Sequence, residues 1–221
     1  MTPIAVLLGA VIIAFAFAYG GGAKPAAPVA DGEAIPVDIK DVSTENTPFI
    51  GNANAPVTIA VWYDYQCPFC KQFELTTLSQ VEADYVASGK VKILLKDFAF
   101  LGPDSEDAAV FGRAMWEAYP DRYAEWHKTV MTAQDEEHGG FGNTETIATL
   151  TRTIAGVDVD RVLALAESKR EQYVAAMTAD RNEGTTFGIN GTPGVIIGTT
   201  LLSGAYPYET VKPLIDAELA K

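Results

Sequence analysis

The stretch Thr58-Ile59-Ala60-Val61-Trp62-Tyr63-Asp64-Tyr65-Gln66-Cys67-Pro68-Phe69-Cys70 decides the fold. Its first six residues are mostly β-branched and aromatic, side chains that pack well on a buried pleated surface, and they predict a strand. Pro56 stands just before it. The pattern then breaks, and Pro68 falls where the first helical residue would be. Its missing N–H does no harm there, so a helix is predicted to begin at Cys67. Leu75, Leu78, Val81 and Tyr85 follow at helical spacing and predict a core-facing stripe. Gly89 is a natural helix stop, and residues 91–96 read as a second strand. Strand, helix, strand is a βαβ unit, so the two strands should run parallel with a right-handed crossover.

Working outward, residues 105–183 carry helical signals. Asp104 or Ser105 is placed to cap a helix reaching Tyr119, and Asp121 to cap another through Met131. Asn143 or Thr144 opens a helix that ends before Gly156. Asp158 opens a long one, with Val159, Val162, Leu163, Ala166, Tyr173 and Met177 on its apolar face. The loop at 134–143 is polar and glycine-rich. Trp116, Tyr123 and Trp126 sit at helical spacings that suit packing. Strand pattern returns at 195–197 and 200–203 around Gly198-Thr199, a two-residue hairpin turn with glycine first. Gly204 and Pro207 lead into a closing helix through Val211, Leu214, Ile215 and Leu219. The class is α/β: βαβ, a helical block, then ββα.

The chain has two cysteines, Cys67 and Cys70. That excludes a four-cysteine zinc site and a disulfide-rich scaffold. At a helix start, unpaired backbone N–H groups and the macrodipole stabilise a thiolate. Cys67 should therefore titrate well below the usual thiol value of about 8.5. Cys70 lies one turn further in, less exposed and facing back. Cys67 is assigned as the sulfur that attacks or is attacked, and Cys70 as the one that resolves a mixed disulfide. A purely structural disulfide here would close little chain and so stabilise little. His127 and His138, the only histidines, lack ligand spacing, so no metal is expected.

Of 221 residues, 29 are acidic and 16 basic, a net charge of −13. Such a surface repels phosphate backbones and argues against nucleic acid as a partner. The apolar run at 4–19 is short for a spanning helix and long for a signal-peptide core. Residues 1–22 therefore read equally as a membrane anchor or as a signal peptide cleaved after Ala18. A Gly/Ala/Pro-rich linker follows at 23–46. Both readings export the domain at 47–221 to an oxidising compartment, periplasmic or cell-surface, where a disulfide persists.

Three segments resemble a known family: Asp64-Tyr65-Gln66-Cys67-Pro68-Phe69-Cys70, then Gly191-Thr192-Pro193-Gly194, then Ser203-Gly204-Ala205-Tyr206-Pro207-Tyr208. With Asn54-Ala55-Pro56-Val57-Thr58 leading in, residues 47–221 are similar to the DsbA-like thiol–disulfide oxidoreductases. The resemblance implies a thioredoxin fold with a helical subdomain inserted at about 104–184. It implies a cis peptide bond before Pro193, and places Thr192 and Pro193, with Pro68 and Phe69, beside an incoming substrate strand. It implies exchange of a Cys67–Cys70 disulfide with extracytoplasmic proteins carrying thiols or disulfides, a membrane redox partner, and no bound cofactor. The direction implied is disulfide formation. A tethered reductase or isomerase, and a non-catalytic binding module, remain as alternatives. Two positions depart from the family. Val61 stands where many relatives carry a buried carboxylate six residues before the first cysteine, and Phe69 replaces the histidine of the strongest oxidants. Both point to a milder oxidant.

Overall fold

The computed structural model describes residues 35–137 and 139–221. The expected leader at 1–22, the first half of the expected linker (23–34), and His138 lie outside the described residues.

The βαβ unit forms as read. Strand β2 spans Val57–Tyr63 and runs parallel to β3, Val91–Asp97, with Ile59 opposite Ile93 and Val61 opposite Leu95. A short strand β1, Phe49–Gly51, adds antiparallel to β3. After the insertion, β4 (Gly194–Ile197) pairs antiparallel with β2, and β5 (Thr200–Ser203) with β4. The order is β1-β3-β2-β4-β5. Alternate residues serve opposite faces. Ile59, Val61, Tyr63 and Leu95 join the main core, whereas Ala60, Trp62, Leu94 and Ile196 form a second one. Burial on both faces is why the strand sequence reads as an unbroken apolar run.

The helix after Cys67 starts as expected, with Cys67 at its N-cap and Pro68 leading α1, Pro68–Phe73. Its register then departs from the expected stripe. The chain widens into π-helical turns at Glu74–Leu78 and Glu82–Val86, on either side of a short α2, Ser79–Val81. Wider turns rotate the following side chains. Leu78, Val81 and Tyr85 stay buried, but Leu75 turns outward to 39% exposure while Glu74 turns inward to 1%. Gly89, at φ +72°, ends the run.

The insertion comprises α3 (Pro103–Ala118), α4 (Tyr123–Ala133), α5 (Thr144–Thr151), α6 (Val159–Ser168) and α7 (Arg170–Thr186). Asn143 and Asp158 cap α5 and α6 through their side chains. Asp104 and Ser105 do not cap α3; Gly102 occupies that position, and Ser105 instead donates to Asp64 Oδ1 at 2.6 Å. Asp121 belongs to a short 3-10 turn, Pro120–Arg122, ahead of α4. The expected long helix from Asp158 is two, separated at Lys169. The last helix, α8, spans Tyr208–Leu219.

Buried ions fasten the insertion to the sheet. Arg113 Nε of α3 bonds Asp97 Oδ2 at 2.6 Å, and its Nη2 pairs with Asp180 of α7. Lys96 Nζ reaches Asp180 Oδ1 at 2.7 Å and Glu183 Oε2 at 3.0 Å. Trp62 Nε1 donates to Asp180 O at 2.8 Å. The compact unit begins at Ile35, earlier than the expected boundary at 47. Val37 and Val42 are buried against the second core, and Ile39 N donates to Gly198 O at 2.8 Å, so residues 37–46 pack on the sheet instead of linking to it.

Candidate active site

Strand β2 ends at Tyr63, and Asp64 fixes the turn that delivers Cys67. Its Oδ1 accepts from Gln66 N and Ser105 Oγ, its Oδ2 from Phe100 N and Leu101 N, and its carbonyl from Cys67 N at 3.1 Å. With its oxygens so engaged, Asp64 is a turn residue. Gln134, at the end of α4, closes the other side: its Nε2 donates to Tyr65 O and, at 3.2 Å, to Cys67 O. Gln66 reaches Phe141 O in the glycine-rich loop. No pattern in the sequence marks these two glutamines, because an amide that braces backbone carbonyls has no spacing signature.

From the opposite side comes the loop before β4. The Thr192–Pro193 bond is cis. Thr192 O accepts from Cys67 Sγ at 3.3 Å. Pro193 and Cys70 line one small cavity behind the pair. Cys67, Cys70, Thr192 and Pro193 therefore converge. Pro68 and Phe69 lie on the rim, with Phe69 60% exposed. Trp62 and Tyr63 are core residues, with no surface for a groove.

Both cysteines are free thiols. The expected contrast in exposure is slight, 5% for Cys67 against 3% for Cys70, because Thr192 and Gln134 cover the helix start. The contrast lies in their chemistry. The Cys70 thiol hydrogen-bonds the Cys67 sulfur and is the largest influence on it. The Thr192 side chain and the backbone N–H groups of Cys70 and Phe69 add to the effect, and together they outweigh burial and bring the Cys67 pKa down to about 6. Cys70 moves the other way: burial first, then its bond to Cys67 and the charge on it, push its pKa well above the ordinary thiol value. Cys67 is thus a thiolate above a pH of about 6, and Cys70 keeps its proton. The helix start and Cys70 acidify Cys67 with no histidine at Phe69.

The family model described as thioredoxin matches residues 43–217. The chain belongs to the thioredoxin family. Among its thioredoxin-family relatives is disulfide bond formation protein D of Bacillus subtilis, 22% identical over 177 residues, which cover 80% of this chain and 79% of that protein. The probable disulfide bond formation protein D of Bacillus anthracis is 24% identical over 173 residues, 78% of each chain. Among solved structures, oxidised BdbD from Bacillus subtilis aligns with a TM-score of 0.75 at 22% identity, covering 86% of this chain and 100% of that one. The thiol–disulfide exchange protein α-DsbA2 from Wolbachia pipientis aligns at 0.69 with 24% identity, covering 79% and 88%. These likenesses establish a thioredoxin fold carrying a helical insertion. No group of three or more metal-ligating side chains, and no helix long and apolar enough to cross a membrane, occurs among the described residues.

Proposed function

We propose that this protein is a thiol–disulfide oxidoreductase that works outside the cytoplasm and donates its Cys67–Cys70 disulfide to the thiols of exported proteins. The single observation that carries the reading is the convergence of Cys67, at a helix start, with Cys70 and the cis Thr192–Pro193 bond; the lowering of the Cys67 pKa agrees with the direction. A stabilised thiolate favours the reduced form of a cysteine pair and makes its disulfide the stronger oxidant. Relatives named for disulfide bond formation agree with that direction.

A substrate thiolate attacks Cys67 Sγ, the Cys67–Cys70 bond breaks, and Cys70 leaves and takes up a proton. A second substrate thiolate attacks the first substrate sulfur, and Cys67 leaves as a thiolate. The substrate loses two electrons and the protein gains them. Phe69 and Pro68 receive the substrate on the rim, and the Thr192–Pro193 backbone lies beside its extended chain. A membrane redox partner then removes the two electrons. The apolar run at 4–19 supports export, as a leader or as an anchor.

Oxidised protein mixed without air with a reduced two-cysteine peptide will yield one peptide disulfide for each protein disulfide consumed, read by mass. A peptide left reduced would refute the proposal.

A further inference from the structure

Cys70 must shed a proton before it can attack and regain one when it leaves, yet it is buried and its pKa is raised. Val61 lines the cavity behind it and offers no acceptor. Glu74 lies one turn beyond Cys70, and its backbone N–H bonds Cys70 O. The first π-helical segment starts at Glu74, and such segments are frequent at functional sites. The Glu74 side chain is turned into the core, with 1% of the residue exposed. Its Oε2 lies 3.5 Å from His127 Nε2 of α4, while its Oε1 has no hydrogen-bond partner among the described residues. A buried carboxylate oxygen without a partner is costly and calls for a function. Glu74 and His127 line the same cavity as Cys70 and Pro193, a space of about 10 Å³, room for about one water.

Behind the pair, a chain of hydroxyls fixes the imidazole. Tyr63 OH donates to Tyr65 OH at 3.0 Å, and Tyr65 OH lies 3.3 Å from His127 Nδ1. With Nδ1 accepting from Tyr65, Nε2 carries the hydrogen and faces Glu74. Tyr123 OH closes the group at 3.4 Å from Tyr63 OH.

We propose that Glu74, held by His127, is the proton acceptor and donor for Cys70 during exchange, a reading that rests on Cys70 being the resolving thiol. When Cys70 attacks, its S–H bond breaks, the proton passes to Glu74 Oε1 directly or through one water, and the sulfur electron pair forms the bond to Cys67 while the substrate thiolate leaves. When Cys70 is the leaving group, the same carboxyl returns the proton. No electrons pass through Glu74. His127 is a positioning residue.

The other titratable groups facing this site are few. Tyr63 and Tyr65 from β2 and the turn after it, and Tyr123 from α4, are held protonated, mainly by burial. Glu82, two turns along from Glu74, pairs with Lys128 Nζ at 3.3 Å, and its pKa is raised first by burial and then by the charge on Glu74. Asp97 and Arg113 act on the tyrosine group from β3 and α3.

The test uses the reduced protein and the aromatic disulfide 5,5′-dithiobis(2-nitrobenzoate). Attack by Cys67 releases one thionitrobenzoate, and attack by Cys70 on the mixed disulfide releases a second. In the unmodified protein the second phase should vary little between about pH 6 and pH 8. In Glu74→Gln it should slow at least about tenfold near neutrality and rise with hydroxide by about tenfold per pH unit. His127→Phe should slow the second phase in the same direction, and it provides an independent arm if Glu74→Gln folds poorly. A second phase with the unmodified pH profile in either folded variant would overturn the proposal. A second phase missing from the unmodified protein would instead overturn the resolving role of Cys70 and the proposal with it.

Discussion

Replacing Cys67 with serine will reduce disulfide transfer to the unaided rate, while Cys70→Ala will donate no disulfide but capture disulfide-bearing proteins covalently. The difference follows from the two sulfurs' surroundings. Cys67 holds the helix start, bonds Thr192 O at 3.3 Å and carries the lowered pKa. A serine hydroxyl there offers neither a thiolate nor a sulfur to form a mixed disulfide. Cys70 is buried behind it; without it no disulfide can be donated, but the Cys67 thiolate still attacks substrate disulfides, one substrate sulfur leaves, and with no Cys70 to expel the other, Cys67-linked complexes should accumulate on non-reducing gels. The pH dependence separates the roles further. Alkylation of the reduced protein by iodoacetamide will rise through a pH of about 6, because the thiolate is present above that value and lost below it. The rise will vanish in Cys67→Ser. In Cys70→Ala it will move to higher pH, since the Cys70 thiol is the largest influence holding the Cys67 pKa down. An unchanged midpoint in Cys70→Ala would contradict that cause.

The largest stability effect will come from Arg113→Met. Arg113 is buried, and its fork holds Asp97 at 2.6 Å, Asp180, and Asn46 O at 2.9 Å. It joins α3 to β3, α7 and the segment before β1. Methionine preserves much of the volume but strands the buried carboxylate of Asp97. Breaking a buried ion pair from one side costs about 3–5 kcal/mol. For a chain of this size each kcal/mol shifts Tm by about 2–4 °C, so a fall of about 6–20 °C is expected. Lys96 still neutralises Asp180 at 2.7 Å, so the loss falls chiefly on Asp97. The Asp97 pKa is already raised, by burial above all, and without Arg113 it should rise further. Thermal unfolding followed by circular dichroism reads the shift. A fall of less than about 2 °C, under 1 kcal/mol by the same conversion, would show that the cluster is not what fastens the insertion.

The parts of this architecture visible in the sequence are those with a local cause. Val57–Tyr63 and Val91–Asp97 announce themselves because both faces of the sheet are buried. Pro68 marks the helix start, and Gly198, at φ +57°, marks the hairpin turn. The pairing of Cys67 with Thr192 and Pro193, more than a hundred residues apart in sequence, came from the resemblance and not from spacing. What stayed hidden depends on tertiary packing. Leu75 faces solvent because a π turn rotates it, and propensity does not reveal such turns. The break at Lys169 has no glycine or proline to signal it. Phe49–Gly51 is too short to show a period. Val37 and Val42 look like linker residues until the sheet face that covers them is known. Glu74 could have been found from its spacing of four from Cys70, which puts both on one helix face. Its partner His127 is supplied by the insertion, and no sequence rule brings α4 to that face.

The most direct test of the account is the reduction potential of the Cys67–Cys70 pair, obtained by equilibrating the whole protein in glutathione buffers of graded ratio and counting trapped thiols. A donor disulfide backed by a stabilised Cys67 thiolate should lie clearly above the thioredoxin value. A potential at or below the value of about −270 mV typical of thioredoxin would contradict it and make the protein a reductase.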